Sequence, residues 1–198
     1  MADLDDYQLP GLSAAPEVWE AAFAPYDEAT YQAALARLQP ADVVLDIGAG
    51  DLRFARRAAG RVRRIIAIER RWELLTGGPP RPANLDVICG DARRLAFPAG
   101  VTVGVLLMRH CRHFAEYAER LRAAGAQRLI TNARWGMDVE EVRLAEPRLS
   151  FAAAAGSWYA CQCGAVGFAP GPADAADGER VVEVQACPAC RPAAAEGR

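Results

Sequence analysis

At 198 residues, with 52% hydrophobic side chains and a formal net charge of −2, the chain suits one α/β domain plus a small appendage and is too apolar to be a disordered segment. The near-balanced charge excludes a general electrostatic pull toward nucleic acid. No apolar run reaches the ~20 residues of a spanning helix, and the acidic start Met1-Ala2-Asp3-Leu4-Asp5-Asp6 lacks a secretion pattern, so a cytoplasmic protein that does not meet a membrane is expected.

In chain order, residues 1–40 read as a helical lead-in. Pro16 to Phe23 and Glu28 to Leu38 carry apolar side chains at helical spacing, and Gln39-Pro40-Ala41-Asp42 stops the second of these. A domain over 41–150 follows. Val43 to Ile47 is a short buried strand leading into Gly48. Leu52 to Gly60 can form a helix. Arg64 to Ile68, Leu85 to Cys89, Val101 to Met108 and Arg128 to Asn132 read as four further strands, with a Gly- and Pro-rich loop over Thr76 to Asn84. His113 to Ala124 is an amphipathic helix with Phe114, Tyr117, Ala118 and Leu121 on one face. Strands alternating with helical stretches predict a doubly wound, mostly parallel sheet. Val139 to Leu144 is a candidate for one more strand, and later strands are candidates to complete the sheet's edge. Composition then shifts. Residues 151–191 form a small β module in which Ser157 to Phe168 and Glu179 to Arg191 each carry a Cys pair, separated by a polar loop over Gly171 to Gly178. Residues 192–198 are a tail.

The chemistry gathers at Asp46-Ile47-Gly48-Ala49-Gly50-Asp51, where the first strand turns into the first domain helix. Glycines there permit a tight turn and close ligand approach. Glu69 ends the second strand, roughly 20 residues on, where an acid accepts both ribose hydroxyl protons. Asp91 follows the third strand in Cys89-Gly90-Asp91-Ala92, within reach of an adenine amino group. With Val43-Val44-Leu45-Asp46-Ile47-Gly48-Ala49-Gly50, Ile66-Ala67-Ile68-Glu69 and Gly90-Asp91-Ala92, the chain resembles the class I S-adenosylmethionine-dependent methyltransferases over about residues 40 to 132. The resemblance implies a Rossmann-like fold, with Asp46, Gly48 and Gly50 around the methionine part, Glu69 on the ribose and Asp91 on the adenine. The family's usual third glycine is replaced by Leu52. A nicotinamide enzyme is the rival reading, but its fingerprint wants glycine where Arg53 stands. It also has no need of Asp46 or of the Gly90-Asp91-Ala92 step.

Cys161-Gln162-Cys163-Gly164 and Cys187-Pro188-Ala189-Cys190 form two knuckles. In an intracellular chain this pattern favours a metal over disulfides. Four thiolates close a tetrahedral structural zinc site and leave no open position for catalysis; tetrahedral iron is the alternative ion. The module is too small for a core of its own, so metal would supply its folding free energy. It resembles a zinc ribbon, although Cys-x-Cys is tighter than the usual knuckle and the linker exceeds the standard ~15–20 residues. Cys89 reads as a small buried residue at a strand end.

Both histidines, His110 and His113, follow the fourth strand in Arg109-His110-Cys111-Arg112-His113-Phe114. The resemblance places substrate-handling groups there, so both are candidate bases or substrate contacts; the plainer roles are helix capping and surface packing. Asn132 and Trp135, after the fifth strand, are candidates to orient and stack on a flat substrate. Tyr26 and Tyr31 either wall the cofactor pocket or pack in the core. The Asn-Pro-Pro-aromatic signature of adenine-methylating members is absent, so methylation of an adenine amino group is not implied. The expected protein is an S-adenosylmethionine-dependent methyltransferase with a structural zinc module. The alternative is a non-catalytic S-adenosylmethionine-binding protein whose ribbon docks a partner. The acceptor is unread. All strong cations are Arg, and those between Arg53 and Arg71 crowd around one acid, Glu69. A GC-rich genome's codon bias explains this, as does an anionic substrate; nucleic acid is one candidate partner.

Overall fold

The computed structural model describes residues 26–109, 111–135, 138–172 and 177–190. The lead-in before Tyr26, His110 and the tail after Cys190 therefore lie outside the described residues. Helix α1 (Glu28–Leu35) is capped by Asp27, whose carboxylate accepts the Thr30 amide hydrogen at 2.7 Å, satisfying a donor that has no partner within the helix. Then come β1 (Val43–Ile47), α2 (Arg53–Ala59), β2 (Arg64–Glu69), β3 (Leu85–Cys89), β4 (Val103–Leu106), α3 (Phe114–Ala123), β5 (Arg128–Thr131) and β6 (Glu140–Arg143). These strands form one sheet in the order β3-β2-β1-β4-β5-β6. All neighbours are parallel except β5 and β6.

Alternation along each strand divides the core. Val44, Val105 and Ile130 pack against Tyr31, Leu35, Phe54 and Ala58 of α1 and α2. Leu45, Leu106 and Leu129 pack against Phe114, Tyr117 and Leu121 of α3 on the other face. Covering both faces is what lets these strands be almost wholly apolar. Gly104 matters to this packing, because a Cβ there would lie 2.3 Å from Leu121 Cδ1. The chain winds outward from β1 in one direction and from β4 in the other. The topological switch point, and with it the ligand crevice of such sheets, lies beyond the C-terminal ends of β1 and β4.

Val139 to Leu144 does supply the sixth strand, but the later strands do not extend this sheet. β7 (Ser157–Cys161), β8 (Val166–Phe168) and β9 (Asp177–Val184) form a separate three-stranded sheet in the order β8-β7-β9. β7 and β8 are antiparallel, whereas β9 runs parallel to β7. The antiparallel pairing of β6 against β5 ends the main sheet, and Arg134 joins the two sheets. Its guanidinium reaches both carboxylate oxygens of Glu140 at 2.6 and 2.8 Å and both of Glu183 on β9 at 2.5 and 2.9 Å. Its side chain is only 1% exposed and lies over the Phe114 ring. A cleft of about 270 Å³ opens between part of α3 and the module, lined in part by Arg122, Arg148, Gln162 and Cys163.

Candidate functional site

The turn after β1 has the backbone that close ligand approach requires. Gly48, Gly50 and Leu52 all take positive φ, at 73°, 55° and 66°. Leu52 is the one described non-glycine residue with this conformation. It takes a backbone conformation that glycine would adopt freely, at a cost of roughly 1–2 kcal/mol offset by full burial of its side chain. Gly48 is doubly constrained, since a Cβ would sit 3.1 Å from Met108 Sδ. Met108 just beyond β4 thus closes over the turn.

Two carboxylates lie buried behind it. Asp46 shares its sheet face with Val44 and is 3% exposed; its Oδ2 is enclosed with no hydrogen-bond partner. Burial pushes its carboxyl up to about 7, and the charge of Glu69 adds to the effect. Glu69, 6% exposed, crosses from β2 to the turn. Its Oε2 accepts the Gly50 amide hydrogen at 2.9 Å and its Oε1 the Arg71 amide hydrogen at 2.9 Å. Each carboxylate oxygen retains capacity for another donor. Two buried acids that repel one another form a site suited to a cationic, hydroxyl-bearing ligand and hostile to a pyrophosphate. The structure thus brings Asp46, Gly48, Gly50 and Glu69 together.

Asp91 stands after β3, the neighbour of β2 on the same edge. Arg93 chelates it through Nε and Nη2, with contacts of 2.9 to 3.2 Å, and holds its carboxyl below the usual carboxylate range. The same guanidinium lies 3.5 Å from His113 Nε2. His113 is at the N-cap position of α3 without capping it, and its Nδ1 is 3.6 Å from Glu116. It is half-exposed and belongs to the Asp91–Arg93 end of the edge. His110 lies outside the described residues.

Past β5, Asn132 is fully buried, and neither its Oδ1 nor its Nδ2 has a hydrogen-bond partner. It stands one residue past the end of β5, next to Thr131. Such an orphaned amide costs roughly 1–3 kcal/mol. Tyr26 borders this region: its hydroxyl accepts the Arg109 amide hydrogen at 3.1 Å, and the Arg109 guanidinium lies 4.7 Å from its ring centroid. Tyr31 packs in the core. Sequence reasoning missed Met108, whose role depends on β4 lying beside β1, and Arg134, whose partner Glu183 is 49 residues away.

The four knuckle cysteines converge. Their sulfurs all lie within 4.8 Å of one another, with Cys161–Cys190 at 3.4 Å, Cys163–Cys187 at 3.8 Å and Cys187–Cys190 at 3.9 Å. None is in a disulfide. A tetrahedral ion with metal–sulfur bonds of about 2.3 Å sets its ligands ~3.8 Å apart, so this donor set fits zinc. Cys161 ends β7, Cys163 lies in the β7–β8 turn, and Cys187 and Cys190 flank the short turn after β9. Cys89, expected to be buried, is exposed, because β3 is an edge strand and Cys89 is its last residue.

Among the described residues no helix is long and apolar enough to cross a membrane. No family model matches the chain, and no curated protein does. Solved structures do resemble it. A candidate RNA methyltransferase from Pyrococcus horikoshii is 16% identical, over 63% of this chain and 67% of that one, with a TM-score of 0.47. An S-adenosylmethionine-dependent methyltransferase from Thiobacillus denitrificans, solved with S-adenosylhomocysteine, is 18% identical over 57% of this chain and 52% of its own, at 0.46. A dimethyladenosine transferase from Plasmodium falciparum is 18% identical at 0.45, over 53% of this chain and only 41% of that one.

Proposed function

We propose that the chain is an S-adenosylmethionine-dependent methyltransferase whose C-terminal module holds a structural zinc ion. The observation that carries this reading is the pair of buried carboxylates at the glycine turn, one of them, Asp46, with an unpartnered oxygen and an acidity near neutrality. A buried anionic pair at a sheet switch point calls for a cation. S-adenosylmethionine carries an ammonium and a sulfonium, and when bound it supplies an electrophilic methyl group.

In this reading Asp46 and the turn at Gly48 and Gly50 surround the amino-acid part, Glu69 accepts from the ribose hydroxyls, and Asp91 takes the adenine end. Arg93 must yield part of its grip for Asp91 to do so. Asn132, with an unused donor and acceptor, orients the acceptor group, and burial excludes water from it. Methyl transfer is a displacement, so these residues act mainly by alignment, an effect worth up to roughly 7–11 kcal/mol. A base enters only where the nucleophile must lose a proton. His110 and His113 are the candidates. His113 is better placed to brace Arg93 than to take a substrate proton, since its Nε2 already faces that guanidinium.

Cys161, Cys163, Cys187 and Cys190 would hold the zinc as a closed set of four thiolates, which gives the ion a structural role. Thermal unfolding with S-adenosylhomocysteine or NAD added separately tests the cofactor. A rise in melting temperature with S-adenosylhomocysteine alone is expected, and a rise with NAD alone contradicts the reading. Elemental analysis should find one zinc per chain; a chain that folds fully with no metal contradicts the zinc assignment.

A further inference from the structure

The outer rung of the four-Cys module is unusual for a surface so small. Trp158 on β7 pairs in register with Phe168 on β8 and with Val181 on β9, so all three side chains leave the same face. They are 39%, 45% and 49% exposed. The next rung on that face, Val166–Ala160–Glu183, turns inward, with Ala160 fully buried and Glu183 held by Arg134. The exposed rung is therefore the rim of the junction between the module and the main sheet.

The aromatic surface also continues onto the main sheet. Trp135, three residues beyond the buried Asn132, meets Trp158 with ring centroids 6.0 Å apart and planes at 73°. Trp158 meets Phe168 at 5.6 Å and 81°. Each edge-to-face contact places the edge of one ring on one face of the other, so the two contacts among these three rings occupy two of their six faces. Three or four side chains fall far short of the roughly 800 Å² per partner of a stable protein interface. They do suit flat rings taken one at a time. Along the adjoining edge, the segments after β2, β3 and β4 bear Arg70, Arg71, Arg93, Arg94, Arg109 and Arg112 against Glu69, Glu73 and Asp91, a cationic excess in a chain that is net negative.

We infer, resting on the methyltransferase reading above, that Trp135, Trp158 and Phe168 form a stacking platform for unpaired bases of a single-stranded nucleic acid whose backbone follows the arginine-bearing edge. The module thereby acts as the substrate arm of the enzyme. Stacking tolerates any base, since every base has a π face, while the arginines supply the salt-dependent part of the affinity.

The test uses the metal-loaded full chain and mixed-sequence 12-nucleotide single strands, one RNA and one DNA, with an RNA duplex as control. Anisotropy and tryptophan quenching report binding. Trp158→Leu and Phe168→Leu should each weaken single-strand binding roughly 5- to 100-fold without changing the slope against salt, and Trp158→Phe should stay near wild type. Preference for RNA, or for RNA and DNA alike, supports the platform and tells the two sources apart. Absence of single-strand binding, equal binding of the duplex, unchanged affinity in both Leu variants, or a rung that captures only a folded protein overturns it.

S-adenosylhomocysteine binding and zinc content are measured on the same samples. If both persist while nucleic-acid binding fails, the platform alone falls. If S-adenosylhomocysteine does not bind while single strands bind through Trp158, the methyltransferase reading falls and the platform stands.

Discussion

The main sheet and the four-Cys module make opposite use of buried polar groups. In the main sheet, two apolar layers enclose the strands, and Asp46 and Asn132 are buried there without a full set of partners. In the module, the buried cluster amounts to a handful of residues, two of them the cysteines Cys161 and Cys187. Its sulfurs are grouped at metal-ligand spacing. The first region carries the cost of unsatisfied buried polar groups. The second has few buried apolar residues beside its sulfur cluster, so under the proposed zinc assignment it would depend on that cluster for stability. In one chain, unpartnered buried polar groups lie in the region with the large core, and the sulfur cluster lies in the region with the small one.

The largest effect tests the module. Removing metal with a chelator, or replacing Cys187 by Ser, should unfold residues 151–190 and leave the main sheet intact, because structural zinc contributes on the order of 10 kcal/mol or more to such folds. Fluorescence of Trp158 and far-UV circular dichroism would show a partial loss; a single cooperative collapse, or no change, would break the comparison.

Arg134→Ala comes next. It leaves Glu140 and Glu183 facing each other without their shared cation and should cost about 3 kcal/mol in urea denaturation, a figure reduced because Glu183 is partly exposed. A cost below ~1 kcal/mol would mean that the two sheets do not depend on this clamp.

Asp46→Asn addresses the open site. The folded acidity near 7 lies above the unfolded 3.8, so the neutral carboxyl's contribution to stability is complete below pH 3.8 and is lost as pH rises through 7. The wild type should lose on the order of 4 kcal/mol relative to the variant between pH 4 and 8. Parallel pH profiles would contradict the buried, unpaired state of Asp46. The smallest effect is expected for His113→Ala, with stability changed by less than about 0.5 kcal/mol and turnover within about threefold. A fall of 100-fold or more would restore it as a general base.

The alternation of strands and helices was legible in the sequence because both faces of the main sheet are covered, which makes Val43 to Ile47 and Val103 to Leu106 nearly continuous apolar runs. The glycine turn, Glu69 and the cysteine knuckles were legible because each is set by local spacing. What was hidden depends on distant pairing. β6 runs against β5 and closes the sheet, Arg134 meets Glu183, Met108 covers Gly48, and Trp135 touches Trp158; no local pattern encodes any of these. Leu52 was legible only as a departure from the motif. Its positive φ of 66° was not legible in the sequence. Arg93's hold on Asp91 has no sequence signal beyond their spacing of two.

The most direct test of the central claim is calorimetric titration of S-adenosylhomocysteine into the metal-loaded protein at pH 8, alongside Asp46→Asn and Glu69→Gln. The paired buried carboxylates predict one site per chain, with affinity reduced at least about tenfold in each variant, the loss expected for removing one charge-assisted contact. A folded wild type that takes up no ligand, or variants that bind as tightly as the wild type, would contradict it.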